Sequence, residues 1–474
     1  MKQYLAAALC RPATQLAILT TAALLLRAST FGDPNLYVDE SFYLLVGHEM
    51  HLGAIPYVDI WDRKPLGLFI AYWMFAAFRN GVLAYQIGAW LSCSATAWVL
   101  CRIASRWMAP DAALCGGLLY LAMLGTLLGM GGQGPVFYNG LVAGAALLVL
   151  QYVDGKSTWR LHSAMLLLGL AITFKPTVVF EAAFLGLFGA WHHLNCRTVA
   201  VQFVLGVLPS AAIAAWYVAM GHWPEFYHAM VTANIERPGL PLRAVLANGA
   251  SLLSIMGPLL AVAIYAGALA RQAFDYRFMS LWLCASLSGF LAVPFMVNHY
   301  ALPMLVPLCI VAGAAFTEKP VGAALVGCVG AFAIVLTGPQ HFERHRRSRA
   351  EFDKMVAAIG PIPPGRGLLV YDGPPLLYLA THTHPMSPLA FPGHLWNMYE
   401  KDLSQFNSGK ELERIVAERP AAVVMRLAPD PPPDLQAFQR LEAYVRANCG
   451  PPVRAYVYRP SGTAEPHLVY SSCV

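Results

Sequence analysis

Long apolar segments separated by short polar ones dominate the first two-thirds of the chain. A helix needs about 20 apolar residues to cross the hydrocarbon layer, and a charge at mid-bilayer costs several kcal/mol. Because many such segments follow one another, a single buried helix of a soluble core is a poor explanation for them. The pattern predicts a polytopic α-helical membrane protein with about eleven spans. The apolar runs lie at about residues 13–30, 82–101, 111–128, 139–153, 161–174, 177–191, 198–220, 249–270, 278–297, 301–316 and 320–337.

The segment 65–80 is the ambiguous one, because it is apolar but short and ends near Arg79. We interpret it as a helix that lies at the membrane interface or folds back. A twelfth span is the alternative, but it would reverse the bias of basic residues in the loops that follow.

Composition and charge agree with this pattern. Of the 474 residues, 57% are hydrophobic and 12% are charged, against roughly 25% charged in an ordinary soluble domain. The net charge of +6 does not indicate nucleic acid, since the basic residues lie in short loops between apolar runs. With Lys2 before the first run and no cleavage site after it, we expect a retained first helix and a cytoplasmic N-terminus.

The composition changes from residue 340 onwards, where 13 of the 26 acidic residues occur. Two β-like stretches, 368–371 and 421–425, flank an amphipathic helical stretch at 409–418. We therefore predict a transmembrane domain over 1–339 and a small α/β domain over 340–474 on the extracytoplasmic, periplasmic side. In an oxidising compartment Cys449 and Cys473 could form a disulfide, with free thiols as the alternative.

Six further acidic residues lie between Asp33 and Asp62, in the predicted first extracytoplasmic loop, 31–80. This loop contains the stretch Tyr37–Tyr43, with Asp39 and Glu40, and then Gly53–Pro65, which ends in Asp-Arg-Lys-Pro. A carboxylate in a partly dry site is suited to act as a general base, and neighbouring Arg and Lys are suited to bind a phosphate. A solvated acidic loop with its counter-ions is the structural alternative.

This arrangement resembles the C-type membrane glycosyltransferases. It is similar to the branch that contains the protein O-mannosyltransferases and the lipid A aminoarabinose and galacturonic acid transferases. The resemblance rests on the Asp-Glu pair, on Gly-x-x-Pro-Tyr-x-Asp and on Lys-Pro at the start of the next apolar segment. It continues in Gly169–Pro176, in His299–Pro303, and in the tail at Leu376–Tyr378 and Phe391–Leu395.

The resemblance implies an inverting transferase that moves a sugar from a polyprenyl-phosphate donor to a hydroxyl of a lipid, glycan or protein at the outer face of a bacterial inner membrane. Asp39 matches the catalytic base, with Glu40 in support. The expected substrate- or phosphate-binding residues are Asp62, Arg63, Lys64, Lys175, His299 and Tyr300. At one point the chain departs from the aminoarabinose-transferase pattern, which has an acid immediately before the Lys where this chain has Arg63.

Several residues keep a structural alternative. Lys175 could be a lysine that snorkels from a helix end, and His299 a hydrogen-bonded interface histidine. Glu181 could mark a lipid headgroup site or lie in the interhelical core. The spacing of His382 and His384 resembles that of metal ligands, but an ordinary loop explains it better. No cofactor is indicated, and a requirement for a divalent metal stays open.

Two other functions fit the same composition. A transporter or flippase of lipid-linked sugars would also need many spans and a few buried charges, but it predicts paired broken helices in two repeats, and no repeat is evident. A non-catalytic scaffold of the same fold would share the tail with a glycosyltransferase, so that only the first loop distinguishes the two.

Overall fold

The computed structural model describes residues 11–155, 157–192, 195–293, 295–338, 341–428, 433–459 and 462–474. Lys2 and the proposed boundary at 339–340 lie outside these ranges. The chain forms two compact units, and each is described by itself. The first comprises residues 1–29, 86–213 and 240–340, and the second comprises residues 30–85, 214–239 and 341–474. The proposed division at residue 340 stays a prediction.

The described residues of the first unit form helices and the loops between them, and they contain no strand. Its α-helices are Pro12–Arg27, Pro110–Leu124, Gly134–Gly155, Thr158–Ile172, Val179–His192, Leu242–Leu269, Tyr276–Leu291, Leu305–Ala314 and Val321–Thr337. Short 3-10 turns occur at Gly125–Leu127, Pro176–Val178, Arg271–Ala273, Asn298–Met304 and Ala315–Thr317. Two more α-helices, Gly81–Ala104 and Cys196–Ala219, have residues in both units.

Each of the eleven predicted apolar runs coincides with a helical segment, so the prediction of a polytopic helical fold is confirmed. Within the described part of the chain, seven segments are long and apolar enough to cross a membrane: Gly81–Ala104, Pro110–Leu127, Gly134–Gly155, Cys196–Ala219, Leu242–Leu269, Asn298–Thr317 and Val321–Ile359, the last of which includes the undescribed residues 339 and 340. The other four runs form helices of 14 to 16 residues.

Small residues set the packing of the first unit. A Cβ added to Gly313 would lie 2.8 Å from the backbone nitrogen of Gly116, on the helix that faces it. Such close approach is how membrane helices gain van der Waals contact, since lipid tails are as apolar as their side chains. Arg27 is buried at the end of its helix and donates hydrogen bonds to three backbone carbonyls, those of Gly129, Met130 and Gly131.

The second unit combines helices with the predicted α/β domain. Its helical segments are Val38–His51, Leu66–Ala76, Trp223–Tyr227, the π-helical turn His228–Thr232, Ala233–Ile235, Phe342–Ile359, Leu376–Ala380, Gly393–Trp396, Ser408–Ala417 and Leu435–Asn448. Its strands are β1 (Leu368–Val370), β2 (Ala422–Arg426), β3 (Val453–Tyr458) and β4 (Ala464–Tyr470), in the order β1-β2-β4-β3.

The sheet of the second unit is mixed. Strands β1 and β2 are parallel, whereas β4 is antiparallel to both of its neighbours, β2 and β3. The central residues Val423 and Val424 are fully buried, as expected for a strand with neighbours on both sides. The predicted strand-helix-strand order of the tail is confirmed, and the helix at Ser408–Ala417 falls at the predicted position. Cys449 and Cys473 form a disulfide.

The ambiguous segment 65–80 contains an α-helix of 11 residues, Leu66–Ala76. At 1.5 Å per residue this helix is about 16 Å long, roughly half of the hydrocarbon thickness. It packs closely against the helix Val38–His51. A Cβ added to Gly47 of that helix would lie 2.6 Å from the backbone carbonyl of Tyr72. Its length supports the interpretation as an interfacial or folded-back helix.

Candidate active site

The predicted base lies at the start of a helix. Val38–His51 begins after Tyr37, which has an extended backbone, so that Asp39 and Glu40 occupy the first helical turn. Negative side chains at this end of a helix are stabilised by the helix dipole. Glu40 is completely buried, whereas Asp39 is partly exposed. Of the two carboxylates, Asp39 is therefore the one that a substrate can reach.

The motif Gly-x-x-Pro-Tyr-x-Asp forms a tight turn. Tyr57 has a positive φ of 73° and a fully buried side chain, whose hydroxyl donates a hydrogen bond of 2.8 Å to the carbonyl oxygen of Lys64. The carboxylate of Asp59 accepts a hydrogen bond from the backbone N–H of Ile55. Both residues thus shape the loop that carries Lys64, which gives this motif a structural role.

Asp62 also shapes this loop. Its Oδ1 accepts hydrogen bonds from the backbone N–H groups of Arg63, at 2.5 Å, and Lys64, at 3.0 Å. Burial raises the pKa of the Asp62 carboxyl, although the positive charges of Lys64 and Arg63 oppose this shift. Asp62 therefore holds the backbone through which Lys64 is positioned.

Asp39, Tyr43, Asp62 and Lys64 form one electrostatic cluster. The Lys64 ammonium lies 5.8 Å from the centroid of the Tyr43 ring. Burial raises the pKa of the Tyr43 hydroxyl well above its usual value, and the charge of Asp39 raises it further, while Lys64 lowers it. The charge of Asp39 also contributes to the raised pKa of Asp62. The cluster combines an accessible carboxylate and an ammonium group, the two groups that the proposed chemistry requires.

Arg63 points into a second ion cluster. Its guanidinium forms an ion pair with Glu400, and the other oxygen of Glu400 pairs with Arg237. The three side chains are only 12%, 13% and 17% exposed, respectively. The carboxylate of Glu400 neutralises part of the charge of the two arginines, and its ion pair fixes the position of the Arg63 side chain.

Aromatic and histidine side chains pack around these ion pairs. The Trp61 ring contacts the His394 ring edge-on at 4.7 Å between centroids, and the backbone N–H of Trp61 donates to the carbonyl of Pro388. Burial lowers the pKa of His394 to about 3, against the opposing effect of Glu400. His394 is therefore neutral near pH 7 and adds no charge to the site.

The remaining predicted residues belong to the first unit. Lys175 precedes the 3-10 turn Pro176–Val178, and its ammonium lies 3.9 Å from the centroid of the Tyr300 ring. The His299 ring meets the Tyr300 ring edge-on at 4.4 Å. The structure thus brings Lys175, His299 and Tyr300 together. Glu181 is buried in the same unit and accepts a hydrogen bond of 2.8 Å from the indole N–H of Trp282.

Sequence reasoning did not single out Glu400, Arg237, His394 or Tyr43. Tyr43 belongs to the quoted first-loop stretch and lies four positions after Asp39, which places both on one helix face. For Glu400 and Arg237 the sequence offers no signal, because they lie 337 and 174 positions from Arg63. In the described part of the chain, no three His, Cys, Asp or Glu side chains are grouped so that they could hold a metal ion.

The fold places the chain in the class of polytopic membrane proteins with the C-type glycosyltransferase fold. It is similar to the crystal structure of ArnT from Cupriavidus metallidurans bound to undecaprenyl phosphate, at a TM-score of 0.61 and 14% identity, over 96% of this chain and 97% of that one. The apo structure of the same ArnT gives a TM-score of 0.59 at 15% identity, over 97% and 98%.

A second neighbour is the Archaeoglobus fulgidus oligosaccharyltransferase tethered to an acceptor peptide with an NVT sequon. It matches at a TM-score of 0.51 and 12% identity, over 98% of this chain and 74% of that one. No family model matches the chain, and no curated protein sequence matches it. At these identities the similarity establishes the fold, and the fold implied by the first-loop motif is thereby confirmed.

Proposed function

We propose that the protein is an inverting glycosyltransferase that moves a sugar from a polyprenyl-phosphate donor to a hydroxyl acceptor. The observation that carries this proposal is the cluster of Asp39 with Lys64, Asp62 and Tyr43, in a chain that shares its fold with ArnT over 96% of its length. The ArnT structure contains undecaprenyl phosphate, which supports a donor of this class.

In the proposed reaction Asp39 is the general base. It removes the proton of the acceptor hydroxyl while the acceptor oxygen forms a bond to the anomeric carbon of the sugar. The bond from that carbon to the phosphate oxygen breaks on the opposite side, and the lipid phosphate leaves with the electron pair. A single displacement of this kind inverts the anomeric configuration. Glu40 supports Asp39 from its buried position one residue further along the helix.

Lys64 is the strongest candidate in the second unit for binding the leaving phosphate. A preorganised cation stabilises charge that develops in the transition state, and it does so most strongly where water is excluded. Arg63 is a weaker candidate, because Glu400 already offsets its charge. Asp62 acts through the loop backbone. Lys175, His299 and Tyr300 form a proposed anion-binding group of the first unit, and their role in binding phosphate stays a prediction.

We place the reaction at the outer face of a bacterial inner membrane, with the N-terminus in the cytoplasm and residues 340–474 in the periplasm. The basic residues of alternate loops and the Cys449–Cys473 disulfide support this orientation. The proposal covers an acceptor hydroxyl on a lipid, a glycan or a protein.

A release assay tests the proposal independently of the acceptor. Purified protein is incubated with undecaprenyl phosphate bearing aminoarabinose, galacturonic acid or mannose, together with a bacterial envelope extract that contains lipids, glycans and proteins. Mass spectrometry then follows the undecaprenyl phosphate that is released. Asp39→Asn should lower the rate by about 10²-fold to 10⁴-fold, which is the usual contribution of a general base.

Asp59→Asn is the matched control, because its amide oxygen can still accept the hydrogen bond from Ile55 and the residue is exposed. The control should retain the wild-type rate. Full activity of Asp39→Asn would refute the assignment of the base. A flippase would move the lipid-linked sugar across vesicles without releasing undecaprenyl phosphate, and a scaffold would do neither.

A further inference from the structure

The second unit contains a large cleft that the proposed reaction does not use. Its volume is about 910 Å³, which is within the range of ligand-binding pockets. Its walls come from the two packed helices Val38–His51 and Leu66–Ala76, from the start of Gly81–Ala104, and from the tail. The lining residues are Pro34, Leu44, His48, Leu52, residues 76–82, Phe352, Leu376, residues 378–380 and residues 382–384.

Many of the lining residues are apolar. Among them are Leu44, Phe352 and Leu379, and also Leu52 and Phe78, which are exposed at 59% and 65%. Trp73 and Met74 of the adjoining 11-residue helix are also exposed. Large apolar side chains grouped in this way on a short helix are typical of a segment that lies in the interfacial layer of a bilayer.

The lining also contains basic side chains, those of Arg79, His48, His382 and His384, and it contains no Asp or Glu. One carboxylate contacts a lining residue, since an oxygen of Glu49 lies 3.0 Å from the Nδ1 atom of His384. Arg79 is exposed and forms no ion pair with any residue in the described ranges. Since Arg stays charged at all accessible pH values, the cleft is complementary to an anion.

We propose that this cleft binds an anionic phospholipid of the bilayer. The phosphate contacts Arg79 and the neighbouring histidines, and an acyl chain lies along Leu44, Leu52 and Leu379. An arginine near the membrane surface should favour an anionic lipid by about fivefold, because in a zwitterionic phospholipid such as phosphatidylcholine the headgroup cation offsets the charge of the phosphate. The site is separate from Asp39, so the proposal does not depend on the transferase reaction.

Native mass spectrometry of the full chain in a neutral detergent tests the proposal. Titration with phosphatidylglycerol and with phosphatidylcholine should show at least fivefold tighter binding of phosphatidylglycerol. Arg79→Gln should remove most of that fivefold preference and weaken phosphatidylcholine binding much less than phosphatidylglycerol binding. Arg346→Gln is the matched control, because Arg346 is an exposed arginine of the same unit that does not line the cleft and whose side chain is 74% exposed. It should bind both lipids as the wild type does.

Two further measurements distinguish binding of the whole lipid from binding of a phosphate group alone. Leu379→Ser, which alters only the apolar wall, should weaken the binding of both lipids. Inorganic phosphate at millimolar concentration should not displace phosphatidylglycerol. Equal affinity for the two lipids, an unaffected Arg79→Gln variant, or displacement by inorganic phosphate alone would each overturn the proposal. Size-exclusion chromatography confirms folding of each variant, and Arg79 is exposed enough that Arg79→Gln should fold.

Discussion

The ion pairs of Glu400 are the feature of the second unit whose loss should be easiest to measure. Glu400→Gln keeps the size of the side chain but removes the charge that Arg63 and Arg237 share. The two guanidinium groups then face one another around a neutral amide, in a region where all three side chains are less than one-fifth exposed. We therefore expect a large loss of stability.

The magnitude follows from the number of bonds and from their burial. Each hydrogen bond to a charged group contributes about 1.5 to 3 kcal/mol, and breaking a buried ion pair costs about 3 to 5 kcal/mol. Because the amide oxygen of Gln can still accept one hydrogen bond, we expect a loss of about 3 to 5 kcal/mol for Glu400→Gln. Arg237→Gln should cost about half as much, since the pair between Arg63 and Glu400 remains.

Thermal unfolding in detergent, followed by tryptophan fluorescence, measures this difference. For a unit of this size 1 kcal/mol corresponds to a change in Tm of about 2 to 4 °C, so Glu400→Gln should lower Tm by about 6 to 20 °C. Glu413→Gln is the control, because Glu413 pairs with Arg440 at 58% and 59% exposure and such surface pairs contribute under about 1 kcal/mol. Equal changes in Tm for the two variants would refute the reasoning.

Two further predictions concern the same unit. Because burial lowers the pKa of His394 to about 3, the unfolded chain takes up a proton at His394 below its usual pKa of about 6.5 and the folded chain does not. The free energy of unfolding should therefore fall as the pH falls from about 6.5 towards 3. In His394→Gln this dependence on pH should be smaller by about 1.4 kcal/mol per pH unit, as measured by unfolding followed by fluorescence. Reduction of the Cys449–Cys473 disulfide, which joins residues 24 positions apart, should destabilise the tail by about 3 kcal/mol. A Tm that is the same with and without dithiothreitol would contradict that estimate.

Much of the fold could be predicted because the membrane restricts which structures are possible. A backbone in hydrocarbon must satisfy its hydrogen bonds internally, so each long apolar run has to be a helix. The eleven runs therefore coincide with eleven helical segments. In the tail, β1 and β2 could be predicted because they are short, continuous apolar stretches, and both are buried. Helix boundaries were less accurate: the run at 249–270 forms a helix that begins at Leu242.

The strands β3 and β4 could not be predicted in the same way. The side chains of Val453 and Arg454 at the start of β3 are exposed, and β4 contains Pro466, so that neither sequence resembles a buried strand. Strand β4 depends on pairing with β2, strand β3 depends on pairing with β4, and the helix Phe342–Ile359 packs against both. The ion cluster at Arg63 is beyond sequence reasoning for a related reason, since only the folded chain brings its three members together.

The position before Lys64 illustrates how structure changes the interpretation of a motif. In the aminoarabinose-transferase pattern an acid precedes this Lys, and here Arg63 takes its place, with Asp62 one residue earlier. Asp62 is not a simple replacement, because its Oδ1 is engaged by two backbone N–H groups. A carboxylate does contact Arg63, but it is that of Glu400, from the tail. Because Glu400 also pairs with Arg237, it offsets part of the charge of both arginines, and we infer that Arg63 has a structural role in this loop.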